Sequence, residues 1–306
     1  MSTAQYSPIA RDGLPFWVAG FVGPTIEART CREDGRDVSV TDAEYGALAT
    51  VRVHDARAMR ATDLTAATTS AYRTIRRLLD DRPALRVARM WNFVPGILEP
   101  VDGLPHRYMA FNAGRFAAIE EWTATDGDVA GWMPTASGVG DDGPDLVVHA
   151  LAGPYTPVPV ENPRQIPSYR YSRRYGPHPP CFSRAVRVPA HGTTGALLLL
   201  GGTASVVGEE TRHPGDLTAQ LDETLANLSA LITAGLPRAP GPVALQETDP
   251  LSPIRSAVVY HVRERDRDTI ERRLRARLTT VDSIEFARRS LCRDDLLVEI
   301  EGTATA

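Results

Sequence analysis

A chain of 306 residues that is 42% hydrophobic and 24% charged, with a formal net charge of −4, has the composition of an ordinary globular protein. No basic stripe stands out, which argues against nucleic acid as a partner, and no apolar run approaches the roughly 18–20 residues that span a bilayer. All 34 basic residues are arginine, which excludes Schiff-base lysines, a pyridoxal phosphate anchor and a Walker phosphate loop.

The length suits two domains of roughly 150 residues, or one large domain. The first residues, Met1-Ser-Thr-Ala-Gln-Tyr6, lack a basic region followed by an apolar core, so no signal peptide is expected. Cys31, Cys181 and Cys292 are scattered and odd in number, with no CxxC. They read as reduced thiols of a cytoplasmic protein and argue against a metal site. No HExxH or GxSxG occurs. An enzyme built from this chain works with Glu, Asp, His, Cys, Tyr and Arg, and arginine is the natural clamp for carboxylates.

In chain order, Ala47–Val53 is expected as a strand and Asp63–Asp80 as a helix, with Ile75, Leu78 and Leu79 on its apolar stripe. Leu85–Val94 follows as a strand, Met109–Trp122 as a helix and Asp145–Leu151 as a strand. Further on, Gly195–Leu200 and Ala204–Val207 are expected as strands. Asp216–Ala234 reads as a helix closed by Gly235, with Leu217, Leu221, Leu225, Leu228 and Leu231 at helical spacing. Ala257–Val262 reads as a strand, Asp266–Leu278 as a helix and Leu296–Glu301 as a strand. A β-α-β-α-β order in each half points to two α/β units of similar design. Between them, Gly153–Pro180 is rich in Pro, Tyr and Arg, and too aromatic around Tyr169, Tyr171 and Tyr175 for a mere spacer.

The closing run Cys292-Arg-Asp-Asp-Leu-Leu-Val-Glu299-Ile-Glu301-Gly302 alternates like a strand, with Val298 and Ile300 on one face and Leu297, Glu299 and Glu301 on the other. A carboxylate on a mostly buried strand is costly unless paired or protonated. A desolvated carboxyl keeps its proton near neutral pH, as a general acid must. Spacing alone leaves a second reading open, that of a last strand ending in solvent with two ordinary surface acids.

Seven segments in order carry a family resemblance: Ala88-Arg-Met-Trp-Asn-Phe-Val-Pro-Gly96, Phe111-Asn-Ala-Gly-Arg115, Met133-Pro-Thr-Ala-Ser-Gly-Val-Gly140, Glu161-Asn-Pro163, Tyr175-Gly-Pro-His-Pro-Pro-Cys-Phe-Ser-Arg-Ala185, Gly215-Asp-Leu-Thr-Ala-Gln220 and Asp295-Leu-Leu-Val-Glu-Ile-Glu-Gly302. Together they resemble the chorismatases, which act on chorismate and release pyruvate. The second half also looks like the RidA/YjgF fold, through the helix that holds Gln220 and Asn227 and through the closing strand. The resemblance implies a mixed α/β (α+β) fold of two RidA/YjgF-like mixed-sheet domains in one chain. The expected division is an N-terminal domain over 1–152, a connecting segment over 153–180 that lines the site, and a catalytic domain over 181–306. It implies no cofactor, chorismate as small-molecule substrate, no nucleic acid or membrane, and a monomer or a RidA-like oligomer.

By the same resemblance, Glu299 is the acid that protonates the enolpyruvyl methylene. Arg115, Arg184 and Tyr175 match segments that line the family's pocket and would hold the substrate carboxylates. Their alternative is ordinary surface pairing. The branch of the family that forms 3-hydroxybenzoate carries a cysteine seven residues before the acid, and a glycine in the Gly201-Gly202 segment; Cys292 and Gly202 fit both markers. Cys292 would assist loss of the ring proton, or else be a small buried hydrophobe. Gly202 would let the ring sit close and displace water, or else be a strand-end glycine. Trp91 and Asn92 are expected to support the fold, Glu301 to be structural, and His178, His213 and Cys181 to stay outside the chemistry. The hydrolytic branch, which gives a dihydroxycyclohexadiene carboxylate, and a non-catalytic RidA-like ligand-binding protein are the competing readings.

Overall fold

A computed structural model of the chain describes residues 13–190, 195–236 and 249–305. The N-terminal stretch on which the expectation of no signal peptide rests lies outside the described residues. The first half opens with helix α1 (Trp17–Val22) and a meander of strands β1 (Thr25–Glu33), β2 (Arg36–Ala43) and β3 (Gly46–Val53). It continues through α2 (Ala61–Asp80), β4 (Arg86–Pro95), α3 (Arg107–Asp126), β5 (Thr135–Asp141) and β6 (Leu146–Gly153). The second half runs through β7 (Val158–Val160), β8 (Ala185–Pro189), β9 (Ala196–Ala204) and the short pair β10 (Val206–Val207) and β11 (Glu210–Thr211). Then come α4 (Leu217–Gly235), β12 (Ile254–His261), α5 (Arg267–Arg277), β13 (Ser283–Arg288) and β14 (Val298–Thr305).

Local chemistry explains the elements that matter most. Asp34 and Gly35 both have positive φ, 49° and 77°, and join β1 to β2 as an Asp-Gly hairpin turn. In α2, Leu64, Ala71, Ile75 and Leu79 keep helical spacing and are buried as one stripe. Asp216 caps α4, its side chain accepting from the Ala219 amide at 3.0 Å.

The strands form two six-stranded sheets in the orders β1-β2-β3-β6-β4-β5 and β7-β8-β9-β14-β12-β13. The two orders correspond strand for strand. In each, the pairing of the fourth and fifth strands of the unit is parallel, β4 with β5 and β12 with β13. This is the mixed sheet expected of two RidA/YjgF-like units in one chain. Each half carries more strands than the expected β-α-β-α-β order: β1, β2, β5, β7, β8, β11 and β13 are additional, and Gly195–Leu200 with Ala204–Val207 becomes the single strand β9 followed by β10. The Pro/Tyr/Arg-rich stretch contributes β7 to the edge of the second sheet. Gly138-Val-Gly-Asp-Asp-Gly143 has G-x-G-x-x-G spacing, but it closes β5 and turns straight into β6 with no helix after it, so it is not a dinucleotide fingerprint.

Four layers result. Helices α2 and α3 pack on the outer face of the first sheet through Leu64, Ile75, Phe111, Met90 and Val148. Helices α4 and α5 cover the outer face of the second through Leu221, Leu228, Ile270, Val298 and Ile300. The inner faces meet through Trp91, Phe93 and Leu151 against Val186, Leu199, Val258 and Tyr260. The closing strand therefore turns Val298 and Ile300 toward the helices and Glu299 and Glu301 into the gap between the sheets, where both are buried. The surface-acid reading is thereby excluded.

Candidate active site

The two sheets touch along β5. The Ser183 amide donates to the Pro134 carbonyl at 3.0 Å, and the Thr135 hydroxyl to the Arg184 carbonyl at 3.2 Å. Next to this seam lies a cavity of about 300 Å³. Its walls come from α3 (Tyr108, Asn112, Arg115), β5 (Ser137), the connecting segment (Tyr171, Tyr175), Phe182 and Arg184 ahead of β8, Gly202 in β9, residues 292–296 and Glu299. All six residues singled out from sequence, Glu299, Cys292, Arg115, Tyr175, Arg184 and Gly202, line this one cavity.

Glu299 is 4% exposed and accepts no hydrogen bond from any described residue. Burial, and then the neighbouring Glu301, push its carboxyl up to about 8, against the pull of Arg89 and Arg184. It is therefore a protonated acid at neutral pH. Gly202 explains how the carboxyl fits. Ile300 pairs with Thr203 and Gly302 with Leu200, so Gly201 and Gly202 together face the single residue Glu301 in a β-bulge. A Cβ on Gly202 would overlap Glu299 Oε1. Gly202 is thus a bulge glycine within the strand, and the first thing its missing side chain makes room for is the acid.

Cys292 is half-buried at the cavity wall. Burial, followed by the Glu299 charge, pushes its thiol up to about 12. It stays a thiol at neutral pH, so it is not a resting thiolate base. Cys181 is buried outside the cavity lining, its thiol pushed up to about 11 by burial.

The two arginines are held by neutral partners. Arg115 Nη2 donates to Asn112 Oδ1 at 2.7 Å and approaches the Tyr108 hydroxyl at 3.4 Å; Tyr108, Asn112 and Arg115 share one face of α3. Arg184 Nη2 donates to the Ile166 carbonyl at 3.0 Å and the Tyr171 hydroxyl at 2.6 Å. The Phe182 ring lies 5.8 Å from one guanidinium and 5.1 Å from the other. Neither arginine forms an ion pair among the described residues, and both are buried, at 1% and 6% exposure. A buried cation without a carboxylate is costly, and a bound dianion would supply the missing charge.

Sequence reasoning missed Arg293. Its guanidinium lies 4.0 Å from the centre of the Tyr175 ring and 5.6 Å from that of Tyr171, and its Nη1 donates to the Glu209 carbonyl at 2.8 Å. It fixes the aromatic rim. The only signal was its place directly after Cys292. Trp91 and Asn92 lie outside the cavity lining: the Trp91 indole donates to Glu301 at 2.7 Å and the Asn92 amide to the Ser137 carbonyl at 3.0 Å. The His178 ring lies tilted, 5.0 Å from that of Phe116, and His213 lies 3.6 Å from Glu223. Among the described residues no three His, Cys, Asp or Glu side chains gather into a metal site.

Comparison with known proteins places the chain in a family. Residues 26–152 match the model described as chorismatase FkbO/Hyg5-like, N-terminal. Over 317 residues the chain is 33% identical to a 3-hydroxybenzoate synthase of Streptomyces hygroscopicus, with 98% of this chain and 88% of that protein covered. The chain belongs to the chorismatase family. It is also 35% identical over 245 residues to a chorismatase of Streptomyces rapamycinicus, covering 78% of this chain and 69% of the relative. A chorismatase crystal structure superposes with a TM-score of 0.74 at 28% identity, covering 90% of this chain and 79% of that one. No helix among the described residues is long and apolar enough to cross a membrane.

Proposed function

We propose that this chorismatase-family protein converts chorismate to 3-hydroxybenzoate and pyruvate. The observation that carries the reading is a buried carboxyl, Glu299, facing a cavity whose buried arginines, Arg115 and Arg184, have no carboxylate partner among the described residues. Chorismate is a dianion with an acid-labile enol ether, which is the complement of that arrangement. Arg115 and Arg184 bind the carboxylates, and Tyr175 packs at the rim. Glu299 delivers its proton to the enolpyruvyl methylene carbon, and positive charge develops at the ether carbon. The neighbouring ring hydroxyl then attacks the ring carbon that bears the ether. The carbon–oxygen bond breaks, pyruvate leaves, and the hydroxyl proton returns to the Glu299 carboxylate. Opening of the resulting epoxide and loss of a ring proton give the aromatic product, with no water consumed.

The choice of 3-hydroxybenzoate is supported by Cys292 and Gly202, which match the aromatising branch, and by the similarity to the 3-hydroxybenzoate synthase of Streptomyces hygroscopicus. Incubation of the pure protein with chorismate, followed by chromatography, tests the reading. Pyruvate with 3-hydroxybenzoate supports it. Pyruvate with the non-aromatic dihydroxydiene would make the protein a hydrolytic chorismatase. No turnover would leave a ligand-binding protein.

A further inference from the structure

The gap between the sheets holds a second carboxylate that the proposed chemistry does not use. Glu301 stands two residues after Glu299 on the same face of β14, with its side chain fully buried. It accepts from Arg89 Nη2 at 2.6 Å, from Trp91 Nε1 at 2.7 Å and from the Ser137 hydroxyl. Arg89 also donates to the Ser137 hydroxyl at 2.6 Å. All three donors come from the first sheet, so this polar cluster bridges the inner faces of both units. Arg89 uses only Nη2 in these bonds; its Nε and Nη1 are buried without a partner among the described residues. Ser137 joins the cluster to the cavity. It lines the wall, and its hydroxyl lies 3.1 Å from the point where a Cβ on Gly202 would sit, the same point that the Glu299 carboxyl crowds.

A fold held together by apolar contacts has no need of an incompletely bonded ion pair in its driest layer, and such pairs contribute little net stability. We propose that Glu301, held by Arg89, Trp91 and Ser137, is a positioning residue that keeps Glu299 loaded with its proton between turnovers. The inference rests on Glu299 being the acid. Arg89 and Glu301 cancel, so the cluster with a neutral Glu299 carries no net charge. An ionised Glu299 would put a second negative charge beside Glu301, against the weaker pull of Arg89 and Arg184. The other charged or titratable groups facing Glu299 are Tyr108 of α3, Arg184 ahead of β8, Tyr260 of β12, and Cys292 ahead of β14. Arg115 and Arg293 line the same cavity. Glu301 in turn faces Tyr260 and Glu285 of β13. Burial and the Glu301 charge are the leading influences that hold the Glu299 proton.

The test is the pH profile of kcat/KM for pyruvate release, whose alkaline limb reports the acid of the free enzyme. In Glu301→Gln, Arg89 is left as an unopposed cation and Glu299 ionises earlier. The limb moves down by a unit or more, so activity at pH 8 falls by about fivefold or more and returns on acidification. Glu301→Asp keeps the charge and leaves the limb near its wild-type position, even where kcat drops. Trp91→Phe is a second variant that keeps both charges of the ion pair. It removes one donor from Glu301 without touching the cavity, strengthens the negative potential at Glu299, and moves the limb up. Limbs that stay in place in folded Glu301→Gln and Trp91→Phe would overturn the proposal, as would equal displacement by Gln and Asp. Glu299→Gln separates this failure from failure of the functional reading: if that variant retains turnover, Glu299 is not the acid, whereas an inactive Glu299→Gln with unmoved limbs elsewhere overturns only the role of Glu301.

Discussion

Replacing Gly202 with alanine probes the acid through its nearest neighbour. The new methyl would overlap Glu299 Oε1 and stand 2.8 Å from Glu299 Cδ and 3.1 Å from Ser137 Oγ. Non-bonded carbons settle at about 3.5–4.0 Å, so the carboxyl carbon must withdraw by about 1 Å. The obstructing atoms belong to the far end of a flexible side chain, so the carboxyl moves and the fold persists. Misplacement of a reacting group by about 1 Å costs on the order of 10²-fold, equivalent to about 2.7 kcal/mol of barrier. We therefore expect pyruvate release to fall by roughly that factor, with part of the remaining product diverted to the dihydroxydiene as water enters the vacated space. Coupling pyruvate to lactate dehydrogenase measures the rate, chromatography measures the partition, and a thermal melt checks the fold. A folded Gly202→Ala protein with wild-type turnover and 3-hydroxybenzoate as sole product would show that neither the position of Glu299 nor the exclusion of water depends on this glycine.

Glu299→Gln should lower pyruvate release by at least about 10²-fold. Folding raises this carboxyl from 4.5 to about 8, so the wild type loses stability as pH rises between those values. The glutamine variant should accordingly melt higher than wild type at pH 8 and no higher at pH 4; a lower melting temperature at pH 8 would contradict the burial argument. Arg115→Lys and Arg184→Lys should each weaken chorismate binding by about tenfold or more, because the planar fork is lost; calorimetry showing unchanged affinity would leave both as structural cations. Cys292→Ala should still release pyruvate while moving product toward the dihydroxydiene, since a change of about 1.4 kcal/mol between competing barriers shifts the ratio tenfold. Gly201→Ala should act on stability instead. Its Cβ would meet backbone oxygens, Arg184 O at 2.9 Å and Ala136 O at 3.0 Å, which cannot step aside, and a loss of about 1–3 kcal/mol is expected in denaturant melts.

The parts of the fold legible in the sequence were those with a strong period. Helices α2 and α4 announce themselves because their apolar residues recur at helical spacing over 20 and 19 residues. The missed strands lack a period for physical reasons. All but the last residue of β1 is exposed, so no apolar face marks it. Strand β5, Thr-Ala-Ser-Gly-Val-Gly-Asp, is rich in glycine and small residues because the two sheets approach closely along it. Strand β7 is three residues with a proline at an edge, where no ladder donor is needed. In the site, the carboxylates of the closing strand were visible because they interrupt an apolar run. The partners of Glu301 were not, since Arg89 lies 212 residues away in sequence and reads like any other arginine.

The placement of the cavity explains why both units are needed. The first contributes Arg115 from α3 and Ser137 from β5, and the second contributes Glu299 from β14 and Gly202 from β9. The stretch between them supplies Tyr171 and Tyr175. Neither sheet alone buries Glu299: its low exposure comes from the inner face of the first sheet closing over β14, and that closure depends on the glycine bulge at Gly201 and Gly202. A carboxyl on an open sheet face would be solvated and ionised at neutral pH. The acid therefore exists only as a property of the assembled pair, which is why the sequence of β14 showed where a proton donor sits but not what keeps it protonated.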